Sequence, residues 1–247
     1  MPRPSSLVAL ALVAAVAGCA DAPSRPAGAE SAGAAVAAAA PPRVARATPP
    51  AVSEHAVASR RVVFLGDSLT AGLGLPIEQA YPSLVAARLK ARGKGWTVVN
   101  AGLSGDTSAG GLRRLDWSME GGAAVLVVAL GGNDALRGLP TADLERNLDA
   151  IVTKATGVGV RVIIAGMEAP PNNGPEYTAD FRQAFADVAR KHSVTLLPFL
   201  LDGVAGIESL NQADGIHPNQ AGAALVADTV WRVLDPIVRA LEAAATE

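Results

Sequence analysis

Ser68, Asp214 and His217 carry the side chains needed for nucleophilic acyl transfer, and each stands where a chain can present it. A serine hydroxyl attacks a carbonyl well only when a base removes its proton. A histidine base works best when a carboxylate fixes its tautomer and balances the imidazolium charge. Ser68 follows the apolar run Val62-Val63-Phe64-Leu65 and the turn-forming Gly66, while Asp214 and His217 share the short loop Asp214-Gly215-Ile216-His217-Pro218. Singly, each has a plain structural alternative: Asp67 or Ser68 as a helix cap, and Asp214 with His217 as a capping turn. The other histidines are poorer bases. His55 lies in an Ala/Pro-rich tract, and His192 stands beside Arg190 and Lys191 at a helix end, where a solvated, dipole-stabilised residue is expected.

Acyl transfer also needs donors for the oxyanion that develops on the attacked carbonyl, each worth about 2.7–4 kcal/mol when well placed. Gly105, within Ser104-Gly105-Asp106-Thr107, can offer a backbone N–H, and Asn133, behind Gly131 and Gly132, can offer its amide. Both are also ordinary turn residues. The competing enzymatic reading is a metal-dependent phosphoesterase using Asp67, Asp106, Asp134 and His217, since clustered carboxylates bind hard cations. A reading from another class is a non-catalytic envelope module that binds acyl chains or glycans, though binding alone does not require Ser68, Asp214 and His217 together.

These residues must be brought together by the elements around them. Short apolar runs at Val62–Leu65, Trp96–Asn100, Val125–Leu130, Val160–Ala165 and Thr195–Leu197 read as five strands. Between and after them lie amphipathic stretches: Glu78–Arg92, Ala109–Glu120, a helix opening at Thr141, Tyr177–His192, and Asn219–Ala244, which Pro236 is expected to kink or divide. Strand and helix in alternation predict a five-stranded parallel sheet in a three-layer α/β/α domain. Every polar cluster follows a strand or precedes the last helix, and in a parallel sheet such loops converge on one edge.

Composition narrows the classes further. The chain has 247 residues, half of them hydrophobic, with 21 basic and 23 acidic residues. That near-neutral balance lacks the basic footprint of a nucleic-acid binder. A single cysteine, Cys19, rules out an intramolecular disulfide and a multi-thiolate metal site. Arg3, the apolar stretch Leu7–Ala17 and Val16-Ala17-Gly18-Cys19 resemble a bacterial lipoprotein signal, in which Cys19 would be lipidated. Residues 1–19 are accordingly read as a signal, 20–59 as an Ala/Pro-rich tether and 60–247 as the folded domain. The expected mature protein is a monomer tethered through its N-terminal lipid and facing the periplasm. Ala20 weakly resembles the outer-membrane sorting pattern.

Gly66-Asp67-Ser68-Leu69, Gly105 in Ser-Gly-Asp-Thr, Gly132-Asn133-Asp134 and Asp214-Gly-Ile-His217 together resemble, in order and spacing, the four sequence blocks of the SGNH, or GDSL, hydrolases. The resemblance implies a flavodoxin-like fold, Ser68 as nucleophile, His217 as base and Asp214 as its orienter. It also implies an oxyanion hole made by the Ser68 and Gly105 N–H groups and the Asn133 side chain, and it calls for no metal or organic cofactor. Leu130–Gly138 and Met167–Gly174 are similar to the periplasmic thioesterase, lysophospholipase and arylesterase branch, implying small acyl esters or thioesters as substrates. A carbohydrate acetylesterase is the alternative within the same chemistry. Glu168, beside the acyl-binding loop, is expected to disfavour anionic substrates. Asp67 is left with the task of holding the turn that presents Ser68.

Overall fold

The computed structural model describes residues 60–246. Cys19, His55 and segments 1–19 and 20–59 lie outside the described residues, so the signal and tether expectations are not addressed by it. β-branched and aromatic side chains without polar interruption make Arg61–Gly66 a strand that can be covered on both faces. It becomes β1, and Val62, Val63, Phe64 and Leu65 are fully buried. β1 pairs in parallel with β2 (Thr97–Gly102) on one side and β3 (Val125–Ala129) on the other. β4 (Arg161–Ala165) and β5 (Thr195–Leu197) complete the order β2-β1-β3-β4-β5. Sheets of this order bind ligands where the strand order reverses, outside the ends of β1 and β3. The register sets Gly66 level with Gly102 and Ala129, so three strands deliver their following segments at one height.

Among the described residues, eight α-helices connect and flank these strands: α1 (Ser68–Ala71), α2 (Tyr81–Ala91), α3 (Ser108–Arg113), α4 (Leu115–Ser118), α5 (Gly132–Leu136), α6 (Thr141–Gly157), α7 (Pro175–His192) and α8 (Gln220–Ala244). The β1-to-β2 crossover runs opposite to the other three, so right-handed connections put α2 on one face and α3, α4, α6 and α7 on the other. α8 packs on α2, and α6 packs on both α3 and α7, as that arrangement requires. The result is the three-layer α/β/α architecture expected from the alternation of strands and helices. Trp96 and Arg92 seal α8 to the sheet edge: Trp96 Nε1 donates to Glu242 Oε1 at 2.8 Å, and Arg92 pairs with Glu242 at 2.9 Å and with Asp235.

Several expectations are corrected in detail. The helix expected over Ala109–Glu120 is two pieces, α3 and α4, because Arg114 leaves helical geometry between them. The helix expected from Glu78 starts at Tyr81 after a 3₁₀ turn at Ile77–Gln79, with Pro82 in its first turn. α8 is undivided although Pro236 lies inside it. Pro236 is on the exposed face, where water can satisfy the carbonyl that lost its donor. His192 is not a solvated residue: its Nε2 lies 2.6 Å from Asp149 Oδ1, which also pairs with Lys191 at 2.8 Å. These two partners, Lys191 first, hold the Asp149 carboxyl below its ordinary value.

Candidate active site

Gly66 ends β1 where no side chain fits, because a Cβ there would fall 1.9 Å from Thr70 Oγ1 and 2.9 Å from the Ala129 carbonyl. That absence lets α1 fold directly back against the strand ends and places Ser68 at its first position. Asp67 caps the helix, its Oδ1 accepting from the Leu69 N–H at 3.0 Å. As the first residue of α1, Ser68 has no carbonyl four residues back within the helix for its N–H.

Ser68 Oγ lies 2.8 Å from His217 Nε2, and His217 Nδ1 lies 2.7 Å from Asp214 Oδ2. The carboxylate at Nδ1 draws the proton to that nitrogen, leaving Nε2 to accept the Ser68 hydroxyl. Asp214 is itself locked, its Oδ1 accepting from the N–H groups of Ile216 at 2.9 Å and His217 at 3.0 Å. The His217 and Ile216 N–H bonds, followed by the imidazole contact, hold its carboxyl down at about 2, so it is an anion throughout the neutral range. The loop is clasped to the nucleophile side by Gln212, whose Nε2 donates to the Leu73 and Pro218 carbonyls at 2.7 and 3.0 Å.

The segments bearing Gly105 and Asn133 are joined by a second set of bonds. Gly105 takes a positive φ of 81°, and its carbonyl accepts from Arg137 Nη2, just after α5, at 2.8 Å. Asp134, buried in α5, accepts the Ser108 N–H at 2.8 Å and its hydroxyl at 2.5 Å, pinning α5 to the start of α3. Arg114 ties the Gly105 loop and β2 to the end of β1: Nε donates to Asp106 Oδ2 at 2.6 Å, Nη1 to the Ala101 carbonyl at 2.7 Å and Nη2 to the Gly66 carbonyl at 2.8 Å. Asn133 Nδ2 reaches Asp67 Oδ2 at 3.4 Å. Sequence reasoning missed Arg114, Arg137, Gln212 and the Asp67–Asn133 contact, and short-range spacing carries no signal for any of them.

Asp67, Asp106 and Asp134 are committed to these separate partners, and among the described residues no group of three or more His, Cys, Asp and Glu could hold a metal ion. The ligand set required by the phosphoesterase reading is therefore not assembled. Glu168 also needs correction, because Arg182 grips it in two bonds of 2.7 and 2.6 Å. Its charge is compensated, and the reason to expect repulsion of anionic substrates weakens. A small, mostly apolar cleft opens at Ser68 and His217 and is lined by Leu73, Leu75, Tyr81, Leu201, Pro218 and Val226.

Burial outweighs the hydrogen bonds at Asp67: loss of hydration pushes its carboxyl up from 3.8 to about 6. The folded protein thus holds this proton more tightly than the unfolded chain. On this group's account, stability is greatest below pH ~4 and declines as pH rises from about 4 to 6. The gap between 3.8 and about 6 corresponds to about 3 kcal/mol. Asp67→Asn keeps an oxygen for Leu69, and at pH 8 it is expected to be more stable than the parent by up to about 3 kcal/mol. The advantage should vanish toward pH 4. Denaturant melts at both pH values check this; a variant less stable than the parent at pH 8 would show the carboxylate to be net stabilising.

A sequence model described as the GDSL-like lipase/acylhydrolase family matches residues 64–225. The chain is 42% identical to Esterase TesA of Pseudomonas aeruginosa over 182 residues, which is 73% of this chain and 90% of that protein. It is 33% identical to Thioesterase 1/protease 1/lysophospholipase L1 of Escherichia coli over 185 residues, 74% of this chain and 88% of the relative. Among solved structures, it is similar to the psychrotrophic esterase EstA from Pseudoalteromonas sp. inhibited by monoethylphosphonate. The TM-score is 0.69 at 31% identity, covering 73% of this chain and all of that one.

Proposed function

The chain belongs to the GDSL-like lipase/acylhydrolase family, and from that premise we propose that it works through an acyl-enzyme on Ser68. It is a serine esterase/thioesterase-type hydrolase whose substrates are small esters. The observation that carries the residue assignment is the unbroken hydrogen-bonded line from Ser68 Oγ through His217 to Asp214, at 2.8 and 2.7 Å, opening on an apolar cleft.

In the proposed cycle, His217 Nε2 takes the Ser68 proton as Oγ attacks the acyl carbonyl. The carbonyl oxygen becomes an oxyanion, to which the Ser68 N–H, the Gly105 N–H and the Asn133 amide donate. Asp214 keeps the imidazole oriented and balances its positive charge. The imidazolium then protonates the departing alcohol or thiol. A water that loses its proton to His217 attacks the acyl-enzyme, and collapse of the second tetrahedral intermediate frees Ser68. Every proton passes through one nitrogen, so Nε2 must face both Ser68 and the leaving group. The cleft beside it, with Leu73, Leu75, Leu201 and Val226, supports apolar groups on the ester. The relatives named esterase and thioesterase support both oxygen and sulfur leaving groups.

Matched oxygen- and thio-ester series of increasing acyl length test this reading. Hydrolysis of both series, unaffected by chelation, is expected; loss of all activity with EDTA would overturn it. We further propose that Cys19 carries lipid and tethers the domain, facing the periplasm, probed by the mass of the mature N-terminus. The support is Val16-Ala17-Gly18-Cys19 followed by the Ala/Pro-rich stretch. An unmodified cysteine or an uncleaved chain would end that proposal.

A further inference from the structure

Asp67 is 2% exposed, a costly place for a carboxylate whose turn-capping task an asparagine or serine performs equally well. Its two oxygens divide their partners. Oδ1 accepts from Leu69 in the nucleophile turn, and Oδ2 faces Asn133 Nδ2 at 3.4 Å. Among the described residues, Asn133 supplies the one side-chain hydrogen bond to Asp67. The approach is close on the backbone side as well, since a Cβ on Gly132 would lie 3.3 Å from Asp67 Oδ2. α5 is held by Asp134 on Ser108 and by Arg137 on the Gly105 carbonyl. With the backbone so fixed, the remaining freedom of Asn133 is rotation of its side-chain amide.

A primary amide carries two N–H groups on one nitrogen and two lone pairs on its oxygen. If one N–H points to Asp67, the same nitrogen has a second to give. If the amide turns over, its oxygen faces a buried carboxylate and the donor is lost. Resting on the assignment of Ser68 and Asn133 above, we propose that Asp67 is a positioning residue for the oxyanion hole. It holds the Asn133 amide in the orientation that offers an N–H to the oxyanion, and it ties that donor to the turn bearing the nucleophile. A carboxylate suits the task because it only accepts. Asparagine at position 67 would still present an oxygen to Leu69, but it would turn an NH₂ group toward Asn133 and favour the flipped amide.

A double-mutant cycle with Asp67→Asn, Asn133→Ala and the pair tests the coupling, reading kcat and KM on a soluble short-chain ester, with melting curves as the folding control. Each single change is expected to lower kcat by about 100-fold, the scale of losing one oxyanion donor, with KM near the parent value. The double variant is expected to be no slower than the slower single variant, because both changes disable one device. Losses that multiply would overturn the proposal and assign Asp67 to the nucleophile turn alone. Parent-like kcat in Asp67→Asn beside a slow Asn133→Ala would overturn it too, while leaving the oxyanion assignment intact. Parent-like kcat in Asn133→Ala would instead defeat the underlying assignment. If Asp67→Asn does not fold, Asp67→Ser runs through the same cycle. It retains a capping oxygen for α1 and removes the acceptor from Asn133, with the same non-additivity expected.

Discussion

Ser68→Ala is expected to reduce kcat for ester hydrolysis by about a millionfold while leaving the melting temperature at the parent value. Among the described residues, Ser68 Oγ makes one side-chain hydrogen bond, to His217 Nε2, and His217 keeps a side-chain exposure of 15%. Water can therefore replace the hydroxyl on the imidazole, and stability should move by less than about 0.5 kcal/mol. Neither Thr70, wholly buried and engaged with Tyr81, nor Ser108, bound to Asp134, is free to substitute. Residual turnover would come only from the oxyanion donors acting on bound ester with water as nucleophile.

Asp214→Asn should cost about ten-thousandfold in kcat, and the reason lies in the tautomer. An asparagine oxygen at the Oδ1 position still accepts from the Ile216 and His217 N–H groups, which bond there now at 2.9 and 3.0 Å, so the loop survives. The amide nitrogen then occupies the place of Oδ2 and donates to His217 Nδ1. That moves the imidazole proton to Nε2, the atom that must accept from Ser68. Because the parent carboxyl is held at about 2, its stabilising effect is present above pH ~4 and lost as pH falls toward 2. Kinetic comparison of the two proteins at neutral pH thus reads the ionised residue throughout.

The parts of this molecule that were legible in the sequence depend on local pattern. Val62–Leu65 and Val125–Val128 are unbroken apolar runs, and the structure buries all eight fully, as strands covered on two faces must be. Ser68, His217 and Asp214 were legible because glycine and proline mark the turns that carry them. What could not be read depends on distances between segments far apart in the chain. Arg114 looks like a residue on a helical surface, yet it joins the Gly66 and Ala101 carbonyls to Asp106. Five residues beginning with glycine gave no helical period for α5, although that helix carries Asn133 and Asp134. Asp67 was legible only as the residue holding the turn that presents Ser68, because its contact with Asn133 crosses 66 positions of sequence. The partners of Glu168 and His192, Arg182 and Asp149, were hidden for the same reason: the fold brings them in.

The central claim, that Ser68 becomes acylated, is tested most directly by the mass of the protein after reaction with a fluorophosphonate, followed by peptide mapping. One adduct per chain, on the peptide containing Ser68 and growing in step with the loss of esterase activity, is the predicted result. Full inactivation with the adduct on another residue, or undiminished turnover by the Ser68-labelled protein, would contradict it.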